Sequence, residues 1–419
     1  MIQPDKTLLL FTAAFPYGKS ETFLETELPY LVEAFSKIII IHNEIGDHKR
    51  AVPPTVELVH FPYNLSSQEK KKAVKTVLNS LFWKEIFRLH FRYHRLLNRG
   101  IFATITLSLF KEKKLSLFLE SLFKQKALSK TETLLYSYWC NDIAFAIAQF
   151  KKRNPTVKAI SRAHGWDVYF EVSQFNYLPF RKEVLQNLDY VSFIADFGKE
   201  YTKKMNPDVP ECKMKLSRLG VHNVLQTEWK NPLSEEGVFR IVSCSNLIPL
   251  KRVGLLVESL AEILKETKSK PVEWIHFGDG VEMAKVGALA KQHLERKMNY
   301  ELKGRVTNQA LLQYYHQNKV DLFVNLSTSE GVPVSIMEAM SFGVPVLATN
   351  VGGVSEIVNN GNGMLLSPNP TAKEVAQQLL QFIHSSDSKR LEKSKHAWET
   401  WNEQYNAEKN YKRFISMLR

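Results

Sequence analysis

Two short apolar runs, Val320-Asp-Leu-Phe-Val-Asn-Leu326 and Val346-Leu-Ala348, stand on either side of one helix-length stretch. The first reads as a buried strand and the second as the strand that follows it. Between them Ile336, Met337 and Met340 recur at helical spacing, Pro333 suits the first helical position, and Gly343-Val-Pro345 stops the helix. Strands joined through a helix run parallel, and a parallel sheet needs cover on both faces. This unit therefore commits the chain to an α/β architecture. It also places chemistry: Glu330 falls in the loop at the helix mouth, and Glu338 inside the helix, eight residues on. Gly331, Val332, Pro333, Val334 and Ser335 form the opening, where free backbone N–H groups at a positive helix end suit a phosphate. Two carboxylates beside an anion site can accept hydroxyl groups, and an anion flanked by hydroxyls has the shape of a nucleotide sugar. The competing reading makes Glu330 a first-turn acid on the helix dipole and Glu338 a solvated helix residue.

The surroundings favour the functional reading. Glu330-x7-Glu338 between a buried strand and Gly343-Val-Pro-Val346 is followed by Thr349-Asn-Val-Gly-Gly-Val-Ser-Glu-Ile-Val358 and Gly361-Asn-Gly-Met-Leu-Leu366. In that order and spacing these motifs closely resemble the retaining glycosyltransferases of family 4, in particular their exopolysaccharide and lipopolysaccharide branch, from about Arg240 to Ala397. The resemblance implies a GT-B fold, two Rossmann-like doubly wound domains facing each other across a cleft. It also implies transfer of a sugar from a nucleotide sugar with retention of anomeric configuration. Lys251 would sit on the diphosphate, Glu330 on sugar hydroxyls and Glu338 on the ribose. Gly278, in the turn Gly278-Asp-Gly280, would let backbone approach the nucleotide, and Arg305 and Val306 belong to the family's base-binding edge. One departure stands out. The family carries Arg where this chain has Asn246, and Arg252 is a candidate for the missing cation. No Asp-x-Asp occurs, so the expected chemistry uses no metal and no cofactor beyond the donor itself.

At 419 residues the chain suits two domains. We place an acceptor-binding domain over 1–225, a nucleotide-sugar-binding domain over 238–397, and a helix over 398–419 that returns to the first domain. Asn223–Gly237, polar and containing Pro232, is the expected connection. Three cysteines (Cys140, Cys212, Cys244) show no paired spacing and read as small buried hydrophobes. The opening apolar run is too short to span a bilayer and has no basic region before it, which points to a cytoplasmic protein.

In the first half, Thr7–Thr12, Lys37–Ile41, Val56–Phe61, Leu134–Tyr138, Val157–Ser161 and Asp189–Ala195 read as strands, with helices over Glu21–Phe35 and Asp142–Lys151. Asp196 is a candidate cap for the helix after the last of these strands. Ligands bind at the carboxyl ends of strands in such sheets. That places Tyr17-Gly18-Lys19 near substrate, with Gly18 as a binding residue or a structural turn. Arg162-Ala-His-Gly-Trp-Asp167 matches the family's His-Gly-x-Asp turn, which implies that His164 lies near the sugar and the reacting phosphate and that Asp167 belongs to the same site.

Residues 66–130 interrupt the alternation. Residues 65–130 hold 15 lysines and arginines against four acids, an excess of 11 out of the chain's +13. Phe82, Trp83, Ile86, Phe87, His90, Phe91, His94 and Leu97 recur at helical spacing with Lys84, Arg88, Arg92, Arg95 and Arg99 between them. Such a segment suits an anionic membrane surface, and equally an amphipathic helix packed on its own domain. Nucleic acid has no other support in the sequence. The expected acceptor is a saccharide, lipid-linked if the segment meets a membrane, on the inner face of the plasma membrane. A nucleotide-sugar epimerase, a sugar phosphorylase and a non-catalytic membrane protein of the same fold remain as alternatives.

Overall fold

The computed structural model describes residues 3–18, 20–92, 98–232, 237–265 and 271–418. Lys19, His94, Arg95 and Leu97 lie outside them. Two compact units divide the chain, one of Met1–Ser217 with Tyr411–Arg419 and one of Arg218–Asn410. The described part of the expected connection therefore lies inside the second unit, and the terminal segment changes unit at Tyr411 rather than at Trp398.

The first unit is built on seven parallel strands: β1 (Gln3–Thr12), β2 (Phe35–His42), β3 (Val56–His60), β4 (Thr133–Ser137), β5 (Lys158–Ala163), β6 (Tyr190–Phe193) and β7 (Met214–Leu216), in the order β3-β2-β1-β4-β5-β6-β7. Alternate residues of the central strands enter opposite cores. Leu9, Phe11, Ile39, Ile41 and Leu135 face one side, and Leu8, Leu10, Ile38, Ile40 and Leu134 the other. Both faces are dry, which is why these strands read as unbroken apolar runs. Helix α1 (Phe23–Ala34) starts two residues later than expected, because Glu21 adopts a left-handed backbone (φ 58°) and turns its carboxylate to the preceding loop.

The basic segment forms α2 (Ser67–Ala73), α3 (Ser80–Phe91) and α4 (Arg99–Gln125), the crossover from β3 to β4. One face of it is core: Phe82, Leu89, Ile101, Ile105 and Leu109 are buried with β1 and β2. This corrects the membrane-facing reading of Phe82. Arg88 is buried too, bonded to Glu85 at 2.7 Å and Glu183 at 3.2 Å. The opposite face leaves Trp83, Phe87 and Phe91 about 60% exposed. The rest of the unit consists of α5 (Asp142–Arg153), α6 (Arg181–Asn187) and α7 (Asp196–Met205), where Asp196 is the first helical residue and Ala195 the cap position.

The second unit has six parallel strands, β8 (Phe239–Cys244), β9 (Val272–Phe277), β10 (Asn299–Leu302), β11 (Leu322–Asn325), β12 (Val346–Thr349) and β13 (Gly363–Leu366), in the order β10-β9-β8-β11-β12-β13. Ile241, Trp274, Leu322 and Val324 pack under α8 (Val253–Ile263), α9 (Met283–Leu294) and α12 (Ala372–His384). The remaining helices are α10 (Asn308–Gln317), α11 (Val334–Ser341), α13 (Asp387–Thr400) and α14 (Ala407–Leu418). Val242, Ile275, Phe323 and Ala348 pack under α10, α11 and α13. The last turns of α14, through Phe414, Ile415 and Leu418, close one core of the first unit.

In each sheet the strand order reverses once, between β1 and β4 and between β8 and β11. Loops leaving neighbouring strands on either side of such a point diverge and leave a crevice at the carboxyl edge. Gly18, Asn246, Lys251, Arg252 and Glu330 to Pro333 sit on such loops, whereas His164 and Asp167 follow β5, Gly278 follows β9, Arg305 and Val306 follow β10, and Val334, Ser335 and Glu338 lie within α11.

Candidate active site

In the second unit the crevice is formed by the loop after β8, carrying Asn246, Lys251 and Arg252, and the loop after β11, carrying Glu330 and Gly331. The two loops are tied together: Thr328 N–H donates to the Leu250 carbonyl at 2.9 Å, and Arg252 Nε and Nη2 donate to the Leu326 and Ser327 carbonyls at 2.5 and 3.0 Å. Arg252 Nη2 also reaches the Pro368 carbonyl at 2.8 Å. Its guanidinium clamps backbone, which corrects its reading as a stand-in for the cation absent at Asn246. Asn246 itself is exposed.

Lys251 Nζ lies 2.5 Å from Glu330 Oε1, and the same oxygen accepts from Ser327 Oγ at 2.6 Å and Asn325 Nδ2 at 3.3 Å. Three donors on one oxygen leave the other, among the described residues, as the acceptor open to a ligand. Glu330 is nearly buried, with 12% of its side chain exposed. Its backbone is seated on Gly352 and Gly353. A Cβ at Gly352, where φ is +54°, would stand 1.8 Å from the Glu330 carbonyl oxygen, and Gly353 N–H donates to the Gly331 carbonyl at 3.1 Å.

Pro333 is the cap residue of α11 rather than its first helical residue, with extended backbone (φ −68°, ψ 125°) and no side chain capping the helix. Because the proline has no N–H and offers no cap, the N–H groups of Val334, Ser335 and Ile336 remain for a ligand. Val332 and Val334 are part-buried against the core below. Glu338, one turn into α11, is 6% exposed and bonds Asn308 Nδ2 at the start of α10. Burial pushes its carboxyl up to about 7, with the Asn308 bond opposing. This is not a solvated helix acid. Gly278 follows β9 with φ +139°, and a Cβ there would stand 1.8 Å from the Ser245 carbonyl oxygen. Arg305 is exposed and Val306 partly buried on the loop between β10 and α10.

In the first unit His164 follows β5, its ring packed between Tyr138 and Trp139 at centroid distances of 4.6 and 4.4 Å. Both ring nitrogens are buried without a hydrogen-bond partner among the described residues, and Asp167 Oδ2 is 3.8 Å from Nδ1, too far to bond. Asp167 is fully buried and accepts from the backbone N–H groups of Cys140, His164 and Gly165 at 2.8, 2.7 and 3.1 Å. Its reading as a substrate contact is therefore corrected: it fixes the turn that carries His164. Burial would raise its pKa, and His164 with those N–H groups holds it below the usual value. Gly18, with φ +66°, turns the loop after β1, where its N–H donates to the His48 carbonyl at 3.0 Å. That loop is shaped by Glu21, whose carboxylate accepts from Ala13, Ala14 and Phe15 N–H and from Trp139 Nε1.

Sequence reasoning missed Ser327, Asn325, Asn308 and Glu21, since polar residues near a loop carry no signal of their partner. Among the described residues no group of three or more His, Cys, Asp or Glu side chains is placed to hold a metal ion. Cys140 is buried, whereas Cys212 is exposed, against the expectation for all three thiols.

In the second unit a crevice thus lies at a strand-order reversal, with Lys251 and Glu330 paired beside the uncapped start of α11. Residues 226–399, most of the second unit, match the family model described as glycosyl transferases group 1. The N-acetyl-alpha-D-glucosaminyl L-malate synthase of Bacillus anthracis is 30% identical over 170 residues, 40% of this chain and 42% of that protein. The O-antigen biosynthesis glycosyltransferase WbnH of Escherichia coli is 35% identical over 109 residues, 26% of this chain and 29% of that protein. The chain thus matches less than half the length of these relatives. Over whole chains, the lipopolysaccharide outer core galactosyltransferase WaaB in its apo form shares the fold, with a TM-score of 0.67, 16% identity, and 99% and 100% of the two chains covered.

Proposed function

We propose that this protein is a retaining glycosyltransferase. It takes a sugar from a nucleoside diphosphate sugar and joins it to a saccharide acceptor, lipid-linked, in the assembly of a surface polysaccharide or glycolipid. The observation that carries the reading is the Lys251–Glu330 pair, held at 2.5 Å beside the uncapped start of α11. On donor binding Lys251 would move from Glu330 to the diphosphate, and the open Glu330 oxygen would accept sugar hydroxyls. The bond from the anomeric carbon to the phosphate oxygen breaks, and the acceptor oxygen bonds that carbon from the same face. The acceptor proton passes to the departing phosphate. Charge grows on that phosphate, so Lys251 and the α11 N–H groups stabilise the transition state more than the ground state. Glu338 would hold the ribose hydroxyls, and the two ring nitrogens of His164, unpartnered among the described residues, would serve as sugar contacts. The similarity to an O-antigen biosynthesis glycosyltransferase supports the acceptor class.

The basic, aromatic flank of α2 and α3 supports a place at the inner, anionic membrane surface. The test is release of nucleoside diphosphate from a panel of UDP- and GDP-sugars, with and without lipid-linked saccharide acceptors. Acceptor-dependent release with an α-configured product from an α-configured donor is expected. A product of inverted configuration would overturn retention, and no release from any donor would overturn the transferase reading.

A further inference from the structure

The first unit has a pocket of about 730 Å³ that the proposed reaction does not use. Lys84 and Arg88 of α3, Arg92 at its C-terminal cap and Lys182 of α6 supply its charge, while Phe87 and Phe91 form an apolar lip. The two rings lie 4.2 Å apart at their centroids and are 63% and 60% exposed. The floor is the Met205–Asp208 turn after α7. Counter-charges are present and uneven. Glu183 takes Lys84 at 2.7 Å and Arg88 at 3.2 Å, Glu85 takes Arg88 at 2.7 Å, and Asp208 takes Lys182. Arg92 has no ion-pair partner among the described residues. The crowding shows in Lys182, whose pKa falls through burial and then through repulsion from Arg88, Lys84 and Arg92. An anion would relieve that repulsion.

None of the residues lining this pocket has a part in the proposed reaction. Helix α7 leaves the carboxyl end of β6 and returns the chain to the amino end of β7, so Met205–Asp208 lies toward the edge of the sheet opposite His164. We propose that the pocket binds one anionic glycerophospholipid of the membrane, its phosphate on Arg92 and Lys182 and its chains across Phe87 and Phe91. The charge and the aromatic lip are adjacent, and neither a free phosphate nor a neutral amphiphile would use both. The proposal rests on the membrane-surface part of the reading above and is independent of sugar transfer.

Calorimetry of the full chain with monomeric dihexanoylphosphatidylglycerol tests it, against dihexanoylphosphatidylcholine and inorganic phosphate. Saturable binding of one phosphatidylglycerol is expected, with both controls about tenfold weaker or more, the loss of a charge-assisted contact or of apolar burial. Arg92→Gln/Lys182→Gln should weaken it by about as much. Phe87→Ser/Phe91→Ser, at exposed positions that leave the core intact, should do the same while preserving the weak phosphate binding. Equal affinity for phosphate and the lipid, or unchanged lipid affinity in both double variants, would overturn the pocket. Vesicle adsorption that survives such a result would leave the membrane reading standing. Monomer binding without vesicle adsorption would support the pocket and remove that reading.

Discussion

In the function proposed above, donor recognition turns on Glu338 and Lys251. Folding raises the Glu338 pKa from 4.5 to about 7 through burial, so ionising it in the folded protein costs stability. Its contribution is full below about pH 4.5 and is lost as the pH rises through about 7. Ribose hydroxyls need the ionised carboxylate as acceptor, so nucleoside diphosphate affinity should rise by up to roughly tenfold between about pH 6 and about pH 8. Glu338→Gln should flatten that profile, measured by calorimetry, and an unchanged slope in the variant would assign the pH dependence to another group. Glu338→Ala, or Lys251→Met, each removes one charge-assisted contact and should cost roughly 1.5–3 kcal/mol of donor binding or of kcat/KM. Undiminished affinity in Glu338→Ala would take that carboxylate out of the site. The carboxylate pair was legible from its spacing. The partners Ser327, Asn325 and Asn308 were not, because a hydrogen bond between residues on different loops leaves no periodic trace.

At the scale of elements, the loop after β11 holds its shape because the turn after β12 supports it from below. Gly352→Ala should shift the Glu330 backbone, since a Cβ would stand 1.8 Å from its carbonyl oxygen and φ is +54°. Strain of this kind costs on the order of 1–3 kcal/mol. We expect a lower Tm and weakened donor binding together. Gly331→Ala in the same loop meets nothing within 4 Å and should leave Tm unchanged. Equal effects in the two variants would mean that the loop, not the seat, is sensitive. The helix-length expectations for α3 and α4 were right in kind, yet amphipathicity alone did not say which aromatics faced inward. Phe82 went to the core and Trp83, its neighbour, to solvent. Arg88 lies on the buried side because Glu85 and Glu183 meet it there, and Glu183 is a distant residue in sequence.

Most of the chain's net charge lies in one segment, residues 65–130, which forms α2 to α4 of the first unit, and that sets its behaviour at surfaces and with salt. Lysines and arginines beside an anionic bilayer contribute about 1 kcal/mol each, screened over a Debye length. Lys70, Lys71 and Lys72 lie on α2, and Arg92 ends α3. Changing these four to Gln should abolish flotation with phosphatidylglycerol vesicles at physiological salt, and the wild type should detach as salt rises. Flotation insensitive to salt, or none by the wild type, would leave α2 and α3 as packing helices alone. Among the described residues no helix is long and apolar enough to cross a membrane. We also expect turnover to survive excess chelator, because Lys251 and the α11 N–H groups supply the positive charge that the leaving diphosphate needs. Collapse with chelator and recovery with magnesium or manganese would refute that.

By itself the sequence determined β1 to β6, the two strands flanking α11, several helices, the α/β class, and Lys251, Glu330 and Glu338 as candidates. Those features follow from local apolar periodicity and from motifs short enough to be read along one stretch of chain. Tertiary structure alone decided the rest. Arg252, on a strand-end loop, became a backbone clamp because carbonyls of Leu326, Ser327 and Pro368 converge on it. Asp167 became the support of His164 because three N–H groups from two loops point at one carboxylate. The cationic pocket exists only because α3, α6 and the turn after α7 meet in space. A side chain's role depends on which atoms reach it, and for residues far apart in the chain only the packed fold brings those atoms within bonding distance.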